Sequence, residues 1–205
     1  MSYLFSYPEV VLGRMLQHAG MVLGAMAVAL LIALPLGFWL QRHKKAAGAV
    51  LGVLGVLYTI PSIALMIFLI PIFGLNAWAV IAALVLYDQI LIVRNVIAGL
   101  DGIDPAVLEA ARGMGMRPLQ VAWRVQLPLA LPVILAGARI AAIVTVAVAT
   151  LGAKFGAGGL GTLLFDGIAQ SGRYDKIVLG ALLVGLLAFA LNRALLALER
   201  RVRTA

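Results

Sequence analysis

The sequence predicts an all-α polytopic membrane protein with about five transmembrane helices, and three observations lead to that prediction. Of the 205 residues, 64% are hydrophobic and only 12% are charged, whereas soluble domains carry about a quarter charged residues. The mean hydropathy is +1.10. A spanning helix needs about 20 residues, so roughly five spans fit and no room remains for a sizeable soluble domain. We therefore treat residues 1–205 as a single transmembrane domain.

The first predicted span is the uncharged run 19–40. It ends at a basic cluster, Arg42 to Lys45, which is typical of a helix anchored at the membrane surface. We expect Pro35 to kink it. The preceding residues, MSYLFSYPEV, lack the basic n-region of a signal peptide. We therefore expect this run to stay in the membrane as an uncleaved helix.

Four further spans follow from the remaining apolar runs. The uncharged stretch 46–87 is too long for one crossing and suits two, with a break at PIFGLNAW, where Pro71, Gly74 and Asn76 favour a turn. The last two runs flank a weakly polar, glycine-rich segment, KFGAGGLGTLLFDGIAQSGRYDK. The resulting spans are 46–70, 77–95, 129–151 and 177–198.

The basic residues indicate the orientation of the chain. Lysine and arginine concentrate in the cytoplasmic loops of membrane proteins. If the N-terminus lies outside, most of the 16 basic residues lie on the cytoplasmic side. The inner residues are Arg42, Lys44, Lys45, Arg94, Arg112, Arg117, Arg124, Arg139, Arg193, Arg200, Arg201 and Arg203. The outer ones are Arg14, Lys154, Arg173 and Lys176. With five spans, an outer N-terminus means a cytoplasmic C-terminus. Since this topology explains the net charge of +8, we expect no nucleic-acid partner.

The longest predicted cytoplasmic loop, residues 99–128, contains most of the stretch EAARGMGMRPLQVAWRVQLPLALP. Asp104 followed by Pro105 favours a helix start, because the carboxylate can cap the helix and proline suits its first position. Gly113 and Gly115 are expected to end this helix. The loop therefore begins with a short helix that lies outside the membrane.

A second short helix in the loop should begin at Pro118 and break at Leu127 and Pro128 before the fourth span. Its apolar side carries Leu119 and Trp123. From the residues alone, the helix pair is either a docking element for another protein or an amphipathic loop resting on lipid headgroups.

The motif E-A-A, three residues, G, and then L-P about a dozen residues later resembles the EAA loop of permeases of binding-protein-dependent ABC importers. In that family the loop is the coupling helix, which seats in a groove of the cytoplasmic ATPase. The matching residues are Glu109, Ala110, Ala111, Gly115, Leu127 and Pro128. The resemblance implies the fold of type I importer permeases, such as methionine permeases.

Three longer stretches resemble the permeases of osmoprotectant importers, which carry glycine betaine, choline, carnitine and related quaternary amines. These stretches are YTIPSIALMIFLIPIFG, VRNVIAGLDGIDPAVLEAARGMGM and GAGGLGTLLFDGI. The resemblance implies a bacterial cytoplasmic membrane, a cytoplasmic ATPase dimer, an extracytoplasmic solute-binding protein, a second permease that is identical or a paralogue, and surrounding membrane lipid.

The sequence offers no site for catalysis or for a cofactor. It lacks a Gly-x-x-x-x-Gly-Lys-Ser/Thr loop, so ATP and Mg²⁺ are expected in the partner ATPase. It contains no cysteine, and its two histidines, His18 and His43, are isolated, which argues against a metal site. We expect a transporter subunit without enzymatic activity of its own.

Candidate residues of the solute path lie in the second and third spans. A proline break with flanking hydroxyls, formed by Thr59, Pro61 and Ser62, suits a gate or a cavity wall, and helix packing is the alternative. Tyr58 and Asp88 depart from the residues common in osmoprotectant permeases, which leaves the exact solute open. Asp88 lies within a span, so it should face a wet cavity or pair with another helix.

The segment GAGGLG fits the dinucleotide-binding pattern G-x-G-x-x-G but follows a membrane helix instead of a strand, so we interpret the match as coincidental. Its glycines suit a tight re-entry of the chain near the outer mouth, followed by a short helix. They are Gly156, Gly158, Gly159 and Gly161. The resemblance places this loop beside the external gate and the docked binding protein.

The leading hypothesis is therefore the permease subunit of an ATP-driven importer of quaternary-amine osmoprotectants. One alternative is an importer of another small solute, such as an amino acid. Another is an ATP-independent channel or carrier, which would predict an internal repeat or a chain of intramembrane charges. Neither feature is apparent in the sequence.

Overall fold

The computed structural model describes residues 2–203 and is built of helices joined by short turns. The helices are α1 (Ser2–Ser6), α2 (Pro8–Arg42), α3 (Lys44–Thr59), α4 (Ser62–Phe73), α5 (Ala77–Asp101), α6 (Pro105–Gly113), α7 (Pro118–Val121), α8 (Leu127–Leu151), α9 (Gly161–Ala169) and α10 (Tyr174–Arg203). A π-helical turn (Ala122–Gln126) joins α7 to α8, and a 3₁₀ turn (Gly152–Phe155) follows α8.

Four helical segments in residues 2–203 are long and apolar enough to cross a membrane, and the bent pair α3–α4 brings the number to five when its two helices are counted together as one span. The four are α2, α5, the continuous unit 118–155 and α10. This number agrees with the all-α, five-span architecture that the sequence predicts. The helices extend beyond the predicted spans, because polar residues at their ends remain helical.

The segment predicted as the second span, 46–70, is not one straight helix. α3 ends at Thr59, α4 begins at Ser62, and the two helices meet at an angle of 100°. Pro61 disfavours helical backbone in the residue before it, and Ile60 is accordingly extended, with φ −64° and ψ 130°. The sequence indicated the proline break but not this sharp bend. The expectation that Pro71 belongs to the turn before the third span is wrong, because Pro71 lies inside α4 and the turn runs from Gly74 to Asn76.

The expectation that Leu127 and Pro128 break the helix before the fourth span is wrong. The N–H of Leu127 bonds to the carbonyl of Ala122, which widens the chain into a π turn instead of ending it. A proline ring clashes with the carbonyl four residues earlier in a regular helix, and the wider turn accommodates Pro128. Residues Pro118–Phe155 therefore form one continuous helical segment.

α5 lies at the centre of the bundle, against α2 and α8, and small residues allow the three backbones to approach closely. A side chain at Gly37 of α2 would overlap Val96 of α5, and a Cβ at Gly137 of α8 would lie 2.5 Å from Cβ of Asn95. Close packing of small residues is a main source of stability between helices in lipid. The fold therefore depends on glycine and alanine at these crossings.

The bundle has two ends, which we name by their residues. The basic end holds the C-termini of α2 and α5, where Nζ of Lys44 lies 2.6 Å from Oδ2 of Asp101, together with α6 and α7. The glycine end holds the start of α2, the turn before α5 and the glycine segment 156–161, where Nε2 of Gln17 donates to the carbonyl of Ala157. Each spanning segment runs between these ends.

Candidate functional site

The first helix of the predicted coupling loop, α6, forms at the basic end with the expected cap. Oδ1 of Asp104 accepts a hydrogen bond from the N–H of Ala106 at 2.9 Å, and Pro105 occupies the start of the helix. The helix ends at Gly113, and Gly115 adopts a left-handed φ of +78°, which glycine accepts without strain. Sequence reasoning placed both ends of this helix correctly.

Most of α6 faces away from the bundle. Ala111 is buried and Leu108 packs against the core, whereas Glu109 and Ala110 are exposed and Met114 is 75% exposed. Exposed methionine beside small residues forms an adaptable surface that another protein can approach closely. The geometry of the helix therefore suits a docking element.

The remaining residues of the EAA motif lie at the junction with α8. Leu127 packs against the core and Pro128 is exposed. The N–H of Arg117 donates to Oε1 of Gln120 at 2.8 Å, which fixes the start of α7. α7 and α8 belong to one continuous helical segment, which joins the loop directly to a spanning helix.

The candidate path residues lie at the bend between α3 and α4. The rings of Tyr58 and Tyr87 meet edge to face, with their centroids 5.5 Å apart, and the hydroxyl of Tyr87 donates to the carbonyl of Ile60. The hydroxyl of Thr59 donates back to the carbonyl of Val56 at 2.6 Å. Tyr87, which sequence reasoning did not select, therefore connects α5 to the bend.

The bend is exposed on the surface of the single chain. Tyr58, Thr59 and Pro61 are exposed, and Ser62 is partly exposed. The first N–H groups of α4 have no partner within their own helix. At membrane depth, such backbone is tolerated only where it is covered by protein or lines a water-filled cavity. The bend is therefore unsuited to contact with lipid.

Asp88 is buried between α5 and α8 and is only 1% exposed. The hydroxyl of Thr145 on α8 lies 2.7 Å from its Oδ1 and 2.8 Å from the carbonyl of Ala141. Oδ2 has no hydrogen-bond partner within residues 2–203, and Asp88 makes no ion pair in that range. The structure thus brings Asp88 against a neighbouring helix and not to the exposed bend.

The glycine segment is attached to α2 by two adjacent polar side chains. Gln17 donates to the carbonyl of Ala157 at 3.1 Å and accepts from the N–H of Gly159 at 2.9 Å. His18 is fully buried, its Nδ1 accepts from the N–H of Leu160 at 3.3 Å, and its Nε2 lies 3.2 Å from the carbonyl of Val146. Since Nδ1 accepts, the proton must be on Nε2, so the imidazole is neutral.

The glycines of this segment have no space for side chains. Gly156, Gly158 and Gly159 adopt left-handed φ angles of 73° to 76°. A Cβ at Gly156 would lie 2.9 Å from the carbonyl oxygen of Leu75, and one at Gly161 would overlap the carbonyl oxygen of Thr150. The short helix α9 follows, as the sequence predicts. The segment is a tightly closed turn that follows a 3₁₀ turn instead of a strand, so it does not have the βαβ setting of a dinucleotide-binding motif.

Sequence reasoning missed Gln17 and His18. The only signal was the presence of two adjacent polar residues near the start of an apolar helix. Their partners lie more than 120 residues away in the sequence, and the partner groups are backbone atoms that carry no sequence signature. The structure alone reveals this connection.

Comparisons with known proteins identify the family. The model of the binding-protein-dependent transport system inner membrane component matches residues 25–204. The carnitine transport permease protein OpuCB of Listeria monocytogenes is 40% identical over 91% of this chain and 85% of its own. The osmoprotectant import permease protein OsmW of Salmonella typhimurium is 41% identical over 86% and 84%.

Solved structures agree with this result. The MetNI methionine ABC transporter, captured in an inward-facing conformation, matches with a TM-score of 0.85 and 26% identity over 94% of this chain and 96% of the other. An amino-acid ABC transporter at 18% identity shares the fold, with a TM-score of 0.69 over 96% of each chain. ATP hydrolysis in this class belongs to a separate subunit, and a binding protein is a partner. The chain therefore belongs to the binding-protein-dependent transport system inner membrane components and is a multi-pass permease subunit of an ABC importer.

Proposed function

We propose that this permease imports quaternary-amine osmoprotectants of the glycine betaine, choline and carnitine class. The proposal rests on the solutes named for two relatives. A carnitine permease is 40% identical to this chain and a choline permease is 37% identical, each across about nine-tenths of this chain. The methionine transporter is more distant, at 26% identity. An amino acid is therefore the second candidate solute.

The bend between α3 and α4 supports a path for a cationic solute. Tyr58 is exposed and rests with its ring against Tyr87. A quaternary ammonium group is attracted to the face of a tyrosine ring without needing a hydrogen bond. We assign Tyr58, Thr59, Pro61 and Ser62 to the wall of the path, formed against a second permease copy or paralogue. That neighbour and the water between the two would satisfy the backbone of the bend.

Asp88 and the glycine segment have supporting roles in this proposal. Asp88 follows Tyr87 directly in α5. Its hydrogen bond with Thr145 ties this turn of α5 to α8 and thereby positions the ring of Tyr87. The segment of Gly156, Gly158, Gly159 and Gly161 closes the glycine end beside the path. These residues would position the wall of the path without touching the solute.

The orientation and the partner composition complete the proposal. The basic end lies in the cytoplasm with the C-terminus, as the distribution of lysine and arginine favours, and the N-terminus lies outside. An ATPase dimer, which holds ATP and Mg²⁺, docks on the exposed side of α6 through Glu109 and Ala110, and on Gly115 just beyond the end of the helix, while the buried Ala111 anchors α6 to the bundle. The binding protein docks at the glycine end. Closure of the ATPase dimer would move α6, and the continuous unit α7–α8 would carry that movement into the membrane.

The test is solute uptake by the permease reconstituted with its ATPase and binding protein in proteoliposomes. We expect ATP-dependent uptake of labelled choline, carnitine or glycine betaine, and little uptake of methionine. Tyr58→Phe should retain uptake because the ring face remains, whereas Tyr58→Ala should reduce it about fivefold or more, the effect of losing roughly 1 kcal/mol of cation–π attraction. Preferred uptake of methionine would contradict the proposal.

A further inference from the structure

Two cavities meet at the basic end, between the end of α2 and the α6–α7 element. The larger one has a volume of about 710 Å³ and is lined almost entirely by apolar side chains, among them Phe38, Trp39, Leu119 and Trp123. The smaller one has a volume of about 390 Å³ and lies beneath α6. Arg42 and Pro118 line both cavities. Together they form one site with an apolar part and a cationic part.

The apolar part has the character of a lipid groove at a membrane interface. Trp39 and Trp123 are half or more exposed, and tryptophan is enriched at the boundary between lipid and water. The proline, leucine and phenylalanine side chains of α2 form the wall on the other side. A hydrocarbon chain would cover these surfaces without requiring any polar contact.

The smaller cavity is suited to an anion that also carries hydroxyl groups. Arg42 and Arg112 line it, and neither arginine pairs with a carboxylate within residues 2–203. The lining described for both cavities contains no aspartate or glutamate. Gln126, which also lines it, is only 7% exposed, and its Oε1 has no hydrogen-bond donor among the described residues. The site therefore offers two guanidinium groups to an anion and one amide oxygen that can accept a hydrogen bond, for which a hydroxyl is a suitable donor.

We propose that this site binds an anionic phospholipid with a hydroxylated headgroup, of which phosphatidylglycerol is the simplest. One acyl chain occupies the apolar part, the phosphate lies between Arg42 and Arg112, and a headgroup hydroxyl donates to Gln126. A free phosphate ion would leave the apolar part empty, so the lipid is the better match. Bound in this way, the lipid bridges α2 and the element that carries the EAA motif, whichever solute the permease transports.

The chain supplies its own reporters for a test. Its three tryptophans are Trp39 and Trp123 in the apolar part and Trp78 at the glycine end, which is 67% exposed. The full chain is placed in bilayers that contain brominated phosphatidylglycerol or brominated phosphatidylcholine, which quench tryptophan fluorescence on contact. Trp78→Phe leaves the two reporters of the site, and the pair Trp39→Phe with Trp123→Phe leaves the control reporter.

We expect brominated phosphatidylglycerol to quench the site reporters at a lower mole fraction than brominated phosphatidylcholine. The ratio of these two mole fractions is the lipid preference, and Trp78 should show no such preference. Arg42→Gln with Arg112→Gln should reduce the preference at least about fivefold, since each basic residue near an anionic lipid contributes roughly that factor. Lys45→Gln with Arg124→Gln removes the same charge from positions that line neither cavity, and should preserve the preference. Millimolar inorganic phosphate should not compete.

Equal quenching by the two lipids at the site reporters would overturn the proposal, and this comparison needs no arginine variant. An equal loss of preference in both double variants would reduce the effect to general surface charge and would also overturn it. Displacement by inorganic phosphate alone would identify the site as one for a free anion instead of a lipid. None of these outcomes depends on transport, so failure here is distinct from failure of the proposed function.

Discussion

The glycine end and the basic end of the subunit differ in how they use their polar groups. At the glycine end, Gln17 and His18 together contact four backbone groups of the glycine segment and α8. At the basic end, Arg42 and Arg112 line an open cavity without a carboxylate partner in the described residues. The subunit thus uses the polar side chains of the glycine end for internal contacts and leaves the two arginines of the basic end available for partners. The difference predicts that equivalent substitutions at the two ends have unequal effects.

The largest difference is expected between two glycines. Gly161→Ala would force a methyl group against the carbonyl of Thr150 and the side chain of Ala153, and such overpacking costs about 3 kcal/mol. Gly113→Ala at the end of α6 meets no described heavy atom within 4 Å, and alanine is the better helix former by about 0.5–1 kcal/mol. Thermal unfolding of the purified variants in detergent measures both.

The expected difference between the two ends would be absent if Gly161→Ala had the unfolding temperature of the unaltered chain while Gly113→Ala had a lower unfolding temperature. Such a result would mean that the glycine end is loosely packed. Gly185→Ala, on α10 and also without a neighbour within 4 Å, serves as a matched control for the effect of alanine in a helix.

The two histidines provide the next test. His18→Leu would leave the N–H of Leu160 without its acceptor, whereas the carbonyl of Val146 would keep the hydrogen bond from the hydroxyl of Thr150. A buried unsatisfied group costs about 1–3 kcal/mol. His43 is exposed, and its imidazole bonds to the carbonyl of Trp39 and stacks on the ring of Trp39. We expect His43→Leu to lower the free energy of unfolding by less than about 1 kcal/mol.

Denaturant titration followed by circular dichroism separates the two histidine variants. Gln17→Ala should resemble His18→Leu, because Gln17 also satisfies two backbone groups. If His18→Leu were as stable as His43→Leu, the polar contacts of the glycine end would not be what stabilises the packing there.

The smallest effect is expected at the ion pair of the basic end. Lys44 and Asp101 approach to 2.6 Å, but their side chains are 61% and 41% exposed. Exposed ion pairs contribute about 0–1 kcal/mol and are screened by salt. Lys44→Met should therefore shift the unfolding temperature slightly in dilute buffer and not at all in about 1 M salt. A large shift that persists in salt would show that the basic end is also closed by internal contacts.

Local sequence rules predicted the features that depend on neighbouring residues. The cap at Asp104, the helix end near Gly115 and the turn before α5 each follow from residue types within a few positions. The apolar runs likewise predicted five crossings, because length and hydropathy determine which segments suit the bilayer.

Features that depend on tertiary packing were not predictable in the same way. The bend after Thr59 is 100°, and a proline signals a break without fixing its angle. Pro128 was read as a helix breaker, but a π turn accommodates it. His18 gave no sign of its partners, because they are backbone groups brought close by the fold. The two cavities at Arg42 similarly arise from helices that are distant in sequence.

Cysteine labelling decides whether the basic end is the cytoplasmic docking surface for the ATPase. The chain has no cysteine, so Met114→Cys at the basic end and Tyr174→Cys at the glycine end, where the native side chains are 75% and 73% exposed, form a matched pair. Each variant is treated with an impermeant maleimide in inside-out and right-side-out vesicles, with and without the ATPase.

We predict that Met114→Cys reacts only in inside-out vesicles and becomes protected when the ATPase is present. Tyr174→Cys should react only in right-side-out vesicles and should be unaffected by the ATPase. Reaction of both variants from the same side, or full reactivity of Met114→Cys with the ATPase bound, would show that the basic end is not the cytoplasmic docking surface.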